Sequence, residues 1–248
     1  MCHADESRPP APPEATSAVA EAGELRLTSA DGAGFLAYRA VPETPTGAGV
    51  VLLPDVRGAH EFYRDLARRF ASTGVAALVL DYYGRVADDD VRDADFDGFS
   101  LVAKLDRERT QDDIVAAVDH LVSGEMGPVT APFTVGFCLG GAMSWAQSAL
   151  QPRLAGVVGF YGRPAECREL IGRMTRPLLV LAAGADVLTT VEDNRAFDLE
   201  LSEAGVPHEF RLYPDAPHSF FDGALPEQAD NAADAWARVL AFLRATAG

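Results

Sequence analysis

Residues 133–141 read Phe-Thr-Val-Gly-Phe-Cys-Leu-Gly-Gly, an apolar run that leads through Gly-x-Cys-x-Gly-Gly into a helix-compatible stretch, Ala142 to Leu150. A cysteine on so tight a strand-to-helix turn is lifted above the sheet. The first N–H groups of the helix then face whatever its sulfur attacks. Gly136 and Gly140 serve that turn, because a side chain at either place would meet neighbouring backbone. Cys138 is therefore the candidate nucleophile; the alternative is a buried, inert thiol.

A thiol attacks as thiolate and needs a base within hydrogen-bond reach. Of five histidines, His218 follows an expected strand, 208–213, through the short loop Pro214-Asp215-Ala216-Pro217, and is preferred to His60, which opens a helix near another strand end. The imidazole needs a carboxylate to fix its tautomer and stabilise its charged form. Asp186 follows the expected strand 177–183, with Gly184 allowing a sharp turn off the sheet. Asp215 competes for that role and Asp193 is better placed in a first helical turn. The chain order becomes nucleophile, acid, base: Cys138, Asp186, His218. An oxyanion would be met by the backbone N–H of Leu139 and that of Val56, in the loop Pro54-Asp55-Val56-Arg57-Gly58.

These residues must be positioned by alternating elements. A hairpin is expected at 24–28 and 34–41, buried strands at 49–53, 75–80, 133–136, 154–161 and 177–183, and a last strand at 208–213. Helices are expected at 61–72, 110–123 with Thr110 as its cap, 191–204 and 226–245. Strands alternating with helices imply a doubly wound, mostly parallel sheet flanked by helices, a three-layer α/β/α sandwich. Sites in such sheets form at the carboxyl ends of strands, where each residue named above falls. Residues 1–20, rich in Pro, Ala, Ser and Glu, read as a disordered tail, and 21–248 as one α/β domain. Gly84 to Glu108, with its run of aspartates, reads as a solvated acidic loop or as a flap over the site; it lacks the Gly and Glu spacing of a calcium loop.

The 248 residues suffice for one large domain. The net charge of −16 disfavours nucleic acid and anionic lipid as partners. No apolar stretch approaches the roughly 20 residues of a membrane span, and the N-terminus lacks the features of a secretory signal. Three cysteines, Cys2, Cys138 and Cys167, argue for a reducing compartment. A cytoplasmic monomer or weak homodimer is expected.

Gly-Phe-Cys-Leu-Gly-Gly at 136–141, Asp-Tyr-Tyr-Gly-Arg at 81–85, Gly-Ala-Asp at 184–186 and His-Ser-Phe at 218–220 together resemble the dienelactone hydrolase family of α/β-hydrolases, over most of residues 24–245. The resemblance implies the α/β-hydrolase fold. It also implies a Cys-His-Asp triad that opens small esters or lactones through an acyl-enzyme, with no metal or cofactor. In the family an acidic residue after the strand at 49–53 holds the resting thiol; here that position is Asp55. Arg85 matches a family arginine that helps bind the substrate carboxylate. The second such arginine, four residues after the histidine, is replaced by Asp222, which would repel an anion, and Arg57 could compensate from the opposite loop. Trp145, Tyr82, Tyr83, Phe137, Phe220 and Phe221 supply apolar lining to the substrate site or plain core. The contrasting reading is a non-catalytic or redox-sensing thiol protein on the same scaffold.

Overall fold

In the computed structural model, which describes residues 3–247, eight strands form one sheet in the order β1-β2-β4-β3-β5-β6-β7-β8. The strands are β1 (Val19–Thr28), β2 (Gly34–Pro42), β3 (Ala48–Leu53), β4 (Ala76–Leu80), β5 (Ala131–Phe137), β6 (Gly156–Phe160), β7 (Leu178–Ala183) and β8 (His208–Tyr213). Only β2 runs antiparallel to its neighbours, pairing with β1 and β4; every other pairing is parallel. The helices are α1 (Glu61–Ser72), α2 (Gly98–Val102), α3 (Arg107–Leu121), α4 (Leu139–Leu150), α5 (Val191–Glu203) and α6 (Ala229–Thr246).

The strands with uninterrupted apolar runs are buried on both faces, as the lack of alternation demands. Along β3, Val50 and Leu52 point to the layer of α1 and α6, while Val51 and Leu53 point to that of α3, α4 and α5. Each layer therefore has its own core. Phe62, Phe70, Trp236 and Phe242 fill one, and Ile114, Trp145, Phe197 and Leu201 the other.

Three differences from the sequence expectation have local causes. Helix α3 begins earlier than expected because the Asp106 carboxylate accepts from the Arg109 N–H, so Asp106 caps it and Thr110 lies inside. The acidic stretch after β4 is tied down by a buried arginine: the Arg92 side chain is fully buried, 2.7 Å from Asp81 and over the ring of Phe96. Burial pushes the Asp81 carboxyl up, against the pull of that guanidinium. Lastly, the residues expected as a disordered tail pack on the body. His3, Ser7, Pro9 and Pro10 are buried, and the Trp236 indole N–H donates to the Pro10 carbonyl at 2.8 Å. Cys2 lies outside the described residues.

Candidate active site

The turn after β5 is as tight as its glycines suggested. A Cβ on Gly140 would lie 2.0 Å from the Leu53 carbonyl oxygen, and one on Gly136 would lie 1.9 Å from that of Gly140. No neighbour can yield at those distances, since the obstacles are backbone. With that constraint Cys138 is held at φ 54°, ψ −113°, a conformation a side-chain-bearing residue rarely adopts. Its own N–H donates to the Phe160 carbonyl of the adjacent strand at 3.0 Å, which fixes the turn to the sheet. Cys138 remains half-buried, whereas Cys167 is fully buried and its thiol is pushed up to about 12 by that burial.

The candidate acid and base come from the ends of β7 and β8. A Cβ on Gly184 would lie 2.5 Å from the Pro214 carbonyl oxygen, so only glycine lets the chain leaving β7 pass beside the loop after β8. The Gly184 N–H donates to Tyr213 and the Ala185 N–H to Ala216, at 2.8 and 2.9 Å, zipping the two loops together. Asp186 Oδ2 then accepts from His218 Nδ1 at 2.7 Å, with both side chains nearly inaccessible. Asp186 Oδ1 is held by the Leu188 N–H at 2.8 Å. Asp215 is exposed, and Asp193 belongs to the Thr190 cap of α5.

Burial opposes a charge on His218. The hydrogen bonds and charges of Asp186 and Cys138 outweigh it, and the imidazole is raised to about 9. The structure thus brings Cys138, His218 and Asp186 together from residues far apart in the chain. His60 is a different kind of group: burial pushes it down to about 4, so it is neutral at physiological pH, 3.8 Å from Asp55.

Of the two expected oxyanion donors, Leu139 is the first residue of α4, so its N–H has no acceptor within the helix. Val56 lies in the loop after β3. What sequence reasoning left undecided is how that loop is held. The Tyr83 hydroxyl donates to the Val56 carbonyl at 2.7 Å and the Tyr82 hydroxyl to that of Asp55 at 2.6 Å. The Tyr63 hydroxyl accepts from the Asp55 N–H at 3.0 Å. Tyr82 and Tyr83 are fully buried and are clamps for this loop rather than lining. Adjacent tyrosines directly after a buried strand were the available signal.

The expected substrate-binding residues fare unevenly. Asp55 is buried; its carboxylate accepts from the Arg57 N–H at 2.8 Å and from the His3 N–H at 3.2 Å. Arg57 donates to the His3 carbonyl at 2.7 Å and pairs with Asp5. Arg85 is not brought to the site. Its guanidinium reaches Asp113 on α3 and Asp31 in the β1–β2 turn, both at 2.7 Å, which joins two elements away from the cleft. Phe220 is fully buried, its ring 4.8 Å from that of Tyr213 and 5.6 Å from that of Tyr161, so it is core beneath the histidine loop.

A strained residue on a β5–α4 elbow, with acid and base after β7 and β8 of a mostly parallel sheet, defines an α/β-hydrolase. The chain belongs to the dienelactone hydrolase family, which it matches over residues 35–247. It is 30% identical over 257 residues to a carboxymethylenebutenolidase of Rhodococcus opacus, covering 98% of this chain and 96% of that one. Among solved structures, a "Putative Dienelactone Hydrolase" from Klebsiella pneumoniae superposes with a TM-score of 0.77 at 26% identity, over 90% of this chain and 98% of the other. An acylaminoacyl peptidase from Pyrococcus horikoshii shares the fold at 13% identity and TM-score 0.72, the match covering 92% of this chain and 42% of that longer one. Among the described residues no helix is long and apolar enough to cross a membrane, and no cluster of three or more His, Cys, Asp and Glu could hold a metal.

Proposed function

We propose that this chain hydrolyses small carboxylic esters or lactones by acylating Cys138. The observation that carries the reading is the Asp186–His218 contact at 2.7 Å, with the thiol of Cys138 among the groups that raise the imidazole. A histidine raised to about 9 is protonated at neutral pH and can hold the sulfur as the attacking thiolate. The sulfur attacks the carbonyl carbon, and the oxygen takes the electron pair between the N–H groups of Leu139 and Val56. As the tetrahedral intermediate collapses, the C–O bond breaks and His218 gives its proton to the departing alkoxide. His218 is now neutral. It takes a proton from water, whose hydroxide equivalent attacks the thioester, and thiolate leaves to restore the ion pair. For a lactone both products remain one molecule, a hydroxy acid.

Quenched reactions with a slow aryl ester should show a mass increment equal to the acyl group on the peptide containing Cys138, and Cys138→Ala should abolish turnover with its circular dichroism unchanged. Turnover persisting in Cys138→Ala would overturn the reading. A modification limited to oxidised sulfur would instead indicate a redox-sensing thiol.

A further inference from the structure

Three of the loops that border the site meet at one place: the one after β3 with Asp55 and Val56, the one after β6 with Tyr161, and the one after β8 with His218 and Asp222. His3 sits among all three. Its ring stacks on Phe62 with centroids 3.7 Å apart, its Nε2 lies 3.0 Å from the Tyr161 hydroxyl, and its N–H donates to Asp55. Tyr161 in turn lies 4.9 Å, ring to ring, from His218. One residue thus separates the buried ring of His3 from the base.

The segment behind His3 is anchored as firmly. The Asp222 carboxylate accepts from the Arg8 N–H at 3.0 Å and from the Ala224 N–H at 2.9 Å, and approaches His3 Nδ1 at 3.8 Å. The Arg8 carbonyl accepts from the Gly223 N–H at 2.7 Å. Arg57 holds the His3 carbonyl. The bonds to the buried carboxylates of Asp55 and Asp222 differ from the incidental contacts of a loose terminus, because they give buried acceptors their partners.

We propose that residues His3–Arg8 form one wall of the substrate cleft, with His3 limiting the size of acyl group that reaches Cys138 and Asp222 serving as the anchor of that wall. The proposal rests on the hydrolase reading of the same site. It gives Asp222 a role that a residue four positions past the base would otherwise lack: it binds the chain's own N-terminal segment rather than substrate. His3 is a specificity residue and Asp222 a positioning residue.

The test uses full-length wild type, His3→Ala and Asp222→Ala. The first readout is the alkylation rate of Cys138 by bulky N-phenylmaleimide relative to small iodoacetamide, with peptide mass spectrometry separating Cys138 from Cys2. The second is kcat/KM for a 4-nitrophenyl ester of benzoate relative to acetate. Removing the ring, or releasing its anchor, should raise the bulky-to-small ratio about tenfold in both readouts, the scale at which pocket size discriminates. Ratios within twofold of wild type in both variants would overturn the proposal. Should His3→Ala misfold by near-UV circular dichroism, Asp222→Ala decides alone, since it leaves the His3 ring in place and removes only its anchor. Alkylation needs no turnover, so the two readings separate: a shifted alkylation ratio in a protein that forms no acyl adduct would sink the hydrolase and keep the wall. Normal turnover with unshifted ratios would do the reverse.

Discussion

At Cys138 the decisive fact is backbone. The φ of 54° is imposed by contacts of Gly136 and Gly140 with carbonyl oxygens at about half the normal separation for an added Cβ. Gly140→Ala should therefore fail to fold or melt about 10 °C or more below wild type, since relief requires moving β3 or α4 bodily. Thermal denaturation followed by circular dichroism checks it, and a shift under about 3 °C would mean the elbow is slack. The second expectation concerns pH. The folded pKa of His218 is raised from 6.5 to about 9, so the imidazolium needed to protonate a departing alkoxide persists through neutrality and is lost above about 9. For an alkyl ester, whose leaving group needs that proton, kcat/KM should stay high up to that point and fall beyond it. A fall centred near 6.5 would show that the histidine works unpaired. The grouping of Cys138, Asp186 and His218 was legible in the sequence because each lies a few residues past a strand in an α/β alternation, where topology alone brings strand ends together.

Loops and helices raise the question of how the oxyanion donor at Val56 is held still. Tyr83 bridges the Val56 carbonyl at 2.7 Å, and a Cβ on Gly98 would lie 1.8 Å from the same oxygen, so α2 begins pressed against this loop. Tyr83→Phe removes one buried hydroxyl and should cost about 1 kcal/mol in stability. It should lower kcat by about tenfold, with KM little changed, since a misplaced donor is felt mainly where oxyanion charge develops. Steady-state kinetics on an aryl ester measures it; unchanged kcat would remove Tyr83 from the positioning set. The stretch before α2 is held by Arg92. Arg92→Ala leaves Asp81 buried without its partner and should destabilise by about 3–5 kcal/mol, read by urea denaturation. Sequence could not distinguish this arginine from its neighbours. The acidic run suggested a solvated loop, and nothing local to residues 84–108 shows that Arg92 turns inward to meet Asp81 at the end of β4. The N-terminal segment was hidden for a similar reason. Its composition is that of a disordered tail, and its order arises from bonds to Asp55, Asp222 and Trp236, remote in sequence.

Across the whole molecule, a charge of −16 is distributed so that the cations best placed to meet an anionic substrate are already engaged. Arg57 is bound to the N-terminal segment, Arg92 to Asp81, and Arg85 to Asp31 and Asp113. Asp55 and Asp222 meanwhile are buried carboxylates that hold the N-terminal segment. The motif resemblance implied a substrate clamp at Arg85; its geometry makes it a brace between the β1–β2 turn and α3. The two assignments differ in what Arg85→Met does. A clamp contributes only to substrates bearing a carboxylate, so its loss would lower kcat/KM for a carboxylated ester such as 4-nitrophenyl succinate by tenfold or more relative to the acetate. A brace contributes to neither, so the ratio should stay within about twofold while stability falls, because Asp113 would be left buried with less of its partner charge. Competition kinetics on the mixed esters gives the ratio directly, and denaturation gives the stability. A selective loss on the succinate would mean that Arg85 leaves Asp113 for the substrate during turnover. An unchanged ratio with a lowered melting temperature fixes Arg85 as a brace that takes no part in substrate binding.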